Sequence, residues 1–373
     1  MTRAPLIAMA RAAAAASLAV LLGGCSTVGY YAQAFSGQLE LVMRARPVER
    51  VLADPATPAA LRERLARAAA IREFASRELG LPDNGSYRSY ADLGRPYVVW
   101  NVFAAPALSV RPRQSCFPIA GCVSYRGFYA EADARAHAAA LAAEGNDVYV
   151  GGVPAYSTLG WFDDPLLSTF ISYPEAELAR LVFHELSHQL LYVRDDTMFN
   201  ESFAVAVELE GVRRWLAANG DAEGQVRFER GRRMRAQFVG LVSRTRNELS
   251  ALYRGGDSDA DKLAGKQAAF ARFQADYALL KQEWGGFSGY DRVLQGGLNN
   301  ALLVAITSYS ELVPAFQAML ARAGGDLPAF YAEARRVGAL SAADRRAALN
   351  SMDRPQFHRR WGGEHDASHE NGK

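Results

Sequence analysis

The stretch Leu181-Val182-Phe183-His184-Glu185-Leu186-Ser187-His188-Gln189-Leu190-Leu191-Tyr192 decides how the rest of the chain is read. It sets His-Glu-x-x-His inside an apolar run. Leu178, Leu181, Val182, Leu186 and Leu190 recur at helical spacing and predict a helix over 173–193. Ser172-Tyr173-Pro174-Glu175 reads as a capping box with proline in the first turn. Residues i and i+4 of a helix share one face, so His184 and His188 can hold one zinc ion between them. Glu185 projects about 100° around the helix, where it can act on a water as general base without ligating the metal.

A catalytic zinc takes three protein ligands and keeps one position open. The third is sought in Phe199-Asn200-Glu201-Ser202-Phe203-Ala204, which opens a second helix carrying Val205, Leu209, Val212 and Leu216. Asp195, Asp196 and Asn200 supply turn and cap chemistry between the two helices. A short turn makes the helices antiparallel neighbours, and Glu201 becomes the expected third ligand, with Asp195, Asp196 and Glu208 as rivals. Glu208 lies two turns further along, about 10 Å by the helical rise. It is expected to bond a ligand histidine or the substrate amine. No cysteine stands near the motif to complete a closed four-ligand site.

His-Glu-x-x-His followed by Asn-Glu-x-x-Ala resembles the gluzincin metallopeptidases, the clan of thermolysin and the zinc aminopeptidases. Those families place a longer spacer before the ligand glutamate than residues 189–200 provide here. Together with Leu22-Gly23-Gly24-Cys25-Ser26-Thr27-Val28-Gly29-Tyr30-Tyr31 and Leu298-Asn299-Asn300-Ala301, the motifs resemble a family of bacterial aminopeptidases, zinc lipoproteins of proteobacteria. The resemblance implies a gluzincin-like core, one zinc ion per chain, a peptide substrate and cleavage at a free amino terminus. It also implies an oxyanion-stabilising hydroxyl beyond the third ligand, with Tyr309 the first choice and Tyr290 the second. The Gly-Ala-Met-Glu-Asn strand with which zinc aminopeptidases hold the substrate amine is missing from 148–162; Asp163, Asp164 or Glu208 could take its place.

Residues 1–24 read as a targeting segment, with Arg3 and Arg11 before an apolar run from Ala12 to Leu22. Leu22-Gly23-Gly24-Cys25 has the form of a lipobox, so the expected product begins at a lipidated Cys25 and is held at the membrane. Ser26 in place of aspartate points to the outer membrane, facing the periplasm. Of the 42 basic residues, removing those two arginines leaves 40 against 40 acidic, and this balance with no basic run argues against nucleic acid. A hydrophobic share of 50% is ample for a core. Cys116 and Cys122, six apart around a Pro- and Gly-bearing loop, are expected to form a disulfide in such a compartment.

The fold class expected is α+β and mostly helical. Residues 25–84 form an N-terminal helical segment, and 85–220 hold a small sheet plus the zinc-binding helices. Residues 221–362 form a helical domain with a long hairpin (about 223–253 and 259–283), and 363–373 a disordered tail. Within the sheet region, 97–103, 123–129 and 148–153 are β-rich. Pro154 to Trp161, with Tyr156, is the candidate edge for binding a peptide as an added strand. Asn299 and Asn300 are candidates for a substrate contact or a plain cap. The competing reading is a non-catalytic envelope lipoprotein, a scaffold or assembly factor, whose zinc site is structural or degenerate.

Overall fold

A computed structural model describes residues 29–117, 121–155, 157–307 and 312–352. The leader 1–24, Cys25, Tyr156, Tyr309 and the tail 363–373 lie outside the described residues. The architecture is mostly helical with small sheets, the α+β class that the sequence predicts. Among the described residues no helix is long and apolar enough to cross a membrane.

Residues 29–44 form helix α1. Then follow β1 (Arg46–Pro47), α2 (Val48–Ala53), α3 (Ala59–Arg77), β2 (Ser89–Ala91), β3 (Val99–Pro106), β4 (Ser115–Phe117), β5 (Gly121–Val123), β6 (Arg126–Phe128), α4 (Glu131–Ala143), β7 (Asn146–Val153) and β8 (Leu166–Leu167). The metal-motif helix α5 (Glu175–Leu190), α6 (Thr197–Ala218) and the hairpin α7 (Ala222–Arg254) and α8 (Asp259–Glu283) come next. The chain closes with α9 (Asp291–Leu294), α10 (Asn300–Thr307), α11 (Val313–Arg322), α12 (Leu327–Gly338) and α13 (Ala342–Met352).

The main sheet runs β6-β3-β7, antiparallel throughout. Strand β3 is central and covered on both sides. Alternation sends Trp100 and Val102 toward Ala134 and Ala138 of α4, and Phe103 toward Ala301 and Ala305 of α10. Val99 and Asn101, on the Phe103 side, face the metal cleft. Residues 154–165, apart from Tyr156, lie between β7 and β8 without strand structure. This corrects the expectation of an edge strand at Pro154–Trp161: among the described residues no strand forms there, and the edges of the main sheet are β6 and β7. The loop is instead organised by side chains, with the Thr158 hydroxyl donating to Phe162 O and accepting from Phe162 N–H.

The helical core gathers on Phe183, Phe199, Phe203, Phe316 and Phe330, all fully buried. Phe203 stacks on Phe330 with ring centroids 5.8 Å apart, which ties α6 to α12. Truncating such a ring to alanine costs about 3–5 kcal/mol. The hairpin α7–α8 has its own core around Phe238, Leu241, Phe273, Tyr277 and Trp284. It is fastened to the sheet by Lys266, whose Nζ meets Asp147 at 2.6 Å.

Helix α5 starts at Glu175 with Pro174 as its N-cap and no side-chain cap bond, so the expected capping box does not form. Glu175 is instead drawn to Arg67 and to the Trp215 Nε1 donor at 2.8 Å. Its charge and that of Glu177 still favour the helix start through the backbone dipole. The turn to α6 is locked from three directions. Asp196 accepts the Phe199 N–H at 3.0 Å and is itself held by Arg345. Asn200 Oδ1 accepts from Val193 N at 2.7 Å while its Nδ2 donates to Val193 O at 2.8 Å. Asp195 takes a left-handed φ of 66° and accepts the Cys122 N–H. That turn fixes where Glu201 stands.

Candidate metal centre

His184 and His188 point from one face of α5 toward Glu201, in the second turn of α6. Their Nε2 atoms are 3.2 Å apart. Glu201 Oε2 lies 3.2 Å from the first and 3.8 Å from the second. Two nitrogens and a carboxylate oxygen about 2.0–2.2 Å from one zinc ion would stand about 3.3 Å from each other at the corners of a tetrahedron. These three residues could hold a metal ion, and among the described residues they are the one group of at least three His, Cys, Asp or Glu side chains so placed.

The far side of His184 is equally specified. Glu208 Oε2 meets His184 Nδ1 at 2.8 Å and Arg180 Nη1 at 3.2 Å. A carboxylate on Nδ1 fixes the tautomer that leaves the Nε2 lone pair toward the centre. Arg180, His184 and His188 stand at i, i+4 and i+8 on α5, so one helical stripe supplies both ligands and the cation that holds their partner. His188 Nδ1 is buried without a hydrogen-bond partner among the described residues.

The electrostatics suit a cation. Burial alone would lower the His184 pKa, but hydrogen bonds to Glu201 and Glu208 outweigh it and raise it to about 10. Burial lowers His188 to about 4. Burial opposes ionisation of Glu208, yet the Arg180 charge and the His184 bond bring it down to about 2. Burial pushes Glu185 up to about 7. Glu185 sits beside the two histidines without joining their cluster, and it lines the cleft above them.

That cleft has a volume of about 340 Å³. Its walls include Tyr30 of α1, Asn101 of β3, Phe117 and Tyr125 of the β4–β6 region, Ser157 and Tyr192. The Cys116–Cys122 disulfide closes the β4–β5 hairpin, and this hairpin forms one wall. Tyr125 packs its ring on Phe103 at 5.5 Å. Burial pushes its hydroxyl pKa up, and the charges of Glu201, Tyr192 and Glu185 add to the rise. Beneath the rim, Asp164 is buried and accepts from Thr158 N at 3.0 Å and Gln189 Nε2 at 3.3 Å.

The sequence candidates divide cleanly. His184, Glu185, His188 and Glu201 come together, with Glu208 behind them. Asn299 and Asn300 do not join them: Asn300 spends its donors on Pro106 O and Ala107 O and accepts from the Tyr253 hydroxyl, while Asn299 donates to Val148 O. Asn299 Oδ1 also accepts from Leu302 N at 2.9 Å, the plain cap that the sequence offers as its alternative, and the two side chains clamp α10 to β3 and β7. Tyr290 is also elsewhere, stacked on Phe238 at 4.2 Å. Asp195 and Asp196, the rival ligands, are consumed by the turn. Tyr125 and Tyr192 were not singled out by sequence. Arg180 could have been, because it continues the i, i+4 stripe of the two histidines.

Neither the curated proteins nor the solved structures contain a match to this chain. A family model does match, over residues 29–349. The match spans α1, the sheet, the metal cluster and the helices that follow it, and on that span the chain belongs to the family described as "putative aminopeptidase".

Proposed function

We propose that this protein is a zinc-dependent peptidase of gluzincin type, acting as an aminopeptidase and held at the membrane through a lipidated Cys25. The observation that carries the reading is the convergence of His184, His188 and Glu201 in a cleft that also presents Glu185. His184, His188 and Glu201 would hold the zinc ion, which would supply Lewis acidity to a scissile carbonyl and to a water. Glu185 takes the proton of the attacking water and hands it to the leaving amine. Glu208 and Arg180 keep His184 in the tautomer that ligates. Tyr125 is positioned to donate its hydroxyl to the developing oxyanion. The cluster offers three ligands where a structural zinc takes four, which favours catalysis over the scaffold alternative. The lipobox form of Leu22-Gly23-Gly24-Cys25, followed by Ser26, supports a place in the envelope at the outer membrane, facing the periplasm.

The test combines metal analysis of the purified full-length chain with a panel of aminoacyl and N-blocked peptide substrates. One zinc per chain and cleavage of free-amine substrates alone are expected. Cleavage of blocked peptides would replace the aminopeptidase reading by an endopeptidase one. Glu185→Gln is expected to keep its zinc and lose about 10²–10⁴ in turnover, the usual share of a general base. Stoichiometric loss of zinc, or unchanged turnover, would overturn the role given to Glu185.

A further inference from the structure

Helix α1 carries an exposed apolar face. Tyr31, Phe35, Leu39, Val42 and Met43 are all exposed, Phe35 to 71% and Met43 to 77%. Their spacing of three and four puts them within one sector of about 120°. Five of the eleven exposed large hydrophobic residues named among the described residues thus fall on this one short helix. The others are single residues or the Trp161-Phe162 pair. Scattered singles are ordinary, whereas a continuous stripe marks a contact surface.

The opposite face of α1 is firmly docked. Leu41 is 1% exposed in the main core. Gly37 lies so close to the Tyr129 ring that a Cβ there would stand 2.1 Å from it. Arg126 covers the Tyr30 ring at 4.0 Å, and Arg95 bonds Glu40 at 2.9 Å. The outer stripe is therefore presented by a helix held in place. Its inner face, through Tyr30 and Ala34, helps to wall the metal cleft.

We infer that the outer face of α1 lies on a lipid bilayer surface, with Tyr31, Phe35, Leu39, Val42 and Met43 sunk into the headgroup–acyl boundary. The inference rests on the proposed lipid anchor at Cys25. Four Cα–Cα steps that advance the chain at most about 3.6 Å each lead from Cys25 to Gly29, so an acylated Cys25 keeps the start of α1 within about 14 Å of the membrane. An amphipathic helix held that close buries its apolar face at the interface. The docked helix then keeps the metal cleft, one helix-width away, at the bilayer surface.

The experiment uses the full chain produced in a bacterial envelope and reconstituted in vesicles of phosphatidylethanolamine and phosphatidylglycerol that carry a nitroxide-labelled lipid. Fluorescent labels are placed at Phe35→Cys and, as a control, at Val226→Cys, an exposed apolar position on α7. Mass spectrometry reads acylation of Cys25 separately. Several-fold stronger quenching at position 35 than at 226 is expected, abolished by adding Leu39→Asp and Met43→Asp while metal content stays unchanged. An acylated chain with equal quenching at both positions would overturn the docked face and leave the anchor standing. An unacylated chain still quenched at 35 would support the surface and overturn the anchor; one quenched at neither would overturn both. Efficient Phe35→Cys cross-linking between two copies without vesicles would reassign the face to a dimer.

Discussion

The α5–α6 pair separates two hollows of opposite character. On one side is the cleft of about 340 Å³, where His184, His188 and Glu201 converge and Glu185 and Tyr125 line the same walls. On the other, between α5, α6, α7 and α11, lies a cavity of about 830 Å³ lined by Phe228, Met234, Val239 and Val313. The larger hollow has charges too, but most are paired with one another: Arg180 with Glu177 and Glu208, Arg227 with Asp221 and Glu223. Size follows the looseness of helix packing, and chemistry follows the register of two helices that aim unsatisfied ligand atoms at one point. Glu208 belongs to both sides, since it lines the larger cavity and bonds the back of His184.

The largest effect that can break this comparison is on metal affinity. Glu201→Ala removes a ligand and is expected to be isolated largely metal-free. Glu208→Ala removes a support of His184 and is expected to lose about 10–100-fold in affinity, the usual cost of such a partner. Isothermal titration with zinc against a competing chelator reads both. Val239→Ala, confined to the larger cavity, should leave affinity unchanged. If it matched Glu208→Ala, or if Glu208→Ala emptied the site while Glu201→Ala did not, the division between the two sides would fail.

What the sequence makes legible follows from the same contrast. The ligands on α5 share a fixed helical period, so two histidines four apart must face one point whatever surrounds them. Glu201 is legible because Asp195, Asp196 and Asn200 spell a tight turn, and a tight turn leaves an antiparallel helix few places to go. The capping box fails because Glu175 has stronger partners in Arg67 and Trp215, which lie 108 and 40 residues away along the chain. Asn299 and Asn300 are legible in part: a polar pair before an apolar helix spells the cap that Asn299 makes to Leu302, but not the bonds that the two make to the sheet. Tyr125 is illegible because strands β5 and β6 are three residues each and have no period of their own. Only the fold brings their connecting residue over the metal helix.

A smaller effect sharpens the chemical side. If Tyr125 donates to the oxyanion, Tyr125→Phe should lower turnover by about 10²-fold, the low end for one lost donor. Zinc content and KM should be little changed, since the hydroxyl acts on a charge that forms only in the transition state. Equal falls in turnover and zinc content would make Tyr125 a structural neighbour of the cluster. Unchanged turnover would remove it from the mechanism.

The remaining effect is on stability rather than on binding or turnover, and it concerns a charge that the cleft side buries without a cationic partner among the described residues. Asp164 is 4% exposed, and burial raises its pKa to about 6 despite hydrogen bonds from Thr158 and Gln189. In the unfolded chain the group titrates near 3.8. The native state therefore binds more protons than the unfolded state between about pH 4 and 6, and stability must fall as pH rises through that window. Asparagine cannot ionise, so Asp164→Asn lacks this loss. The variant should match the natural protein near pH 4 and exceed it by pH 7, by up to about 3 kcal/mol at about 1.4 kcal/mol per pKa unit. Denaturant unfolding at pH 4, 5, 6 and 7 reads the difference directly. A gap that stays constant with pH would mean that Asp164 titrates in the native state at its unfolded value, and would overturn the cost of burial. A gap that opens as predicted would show that the loop over the cleft is anchored at the expense of stability, whereas the Arg180–Glu208 pair behind the metal helix neutralises its own charge.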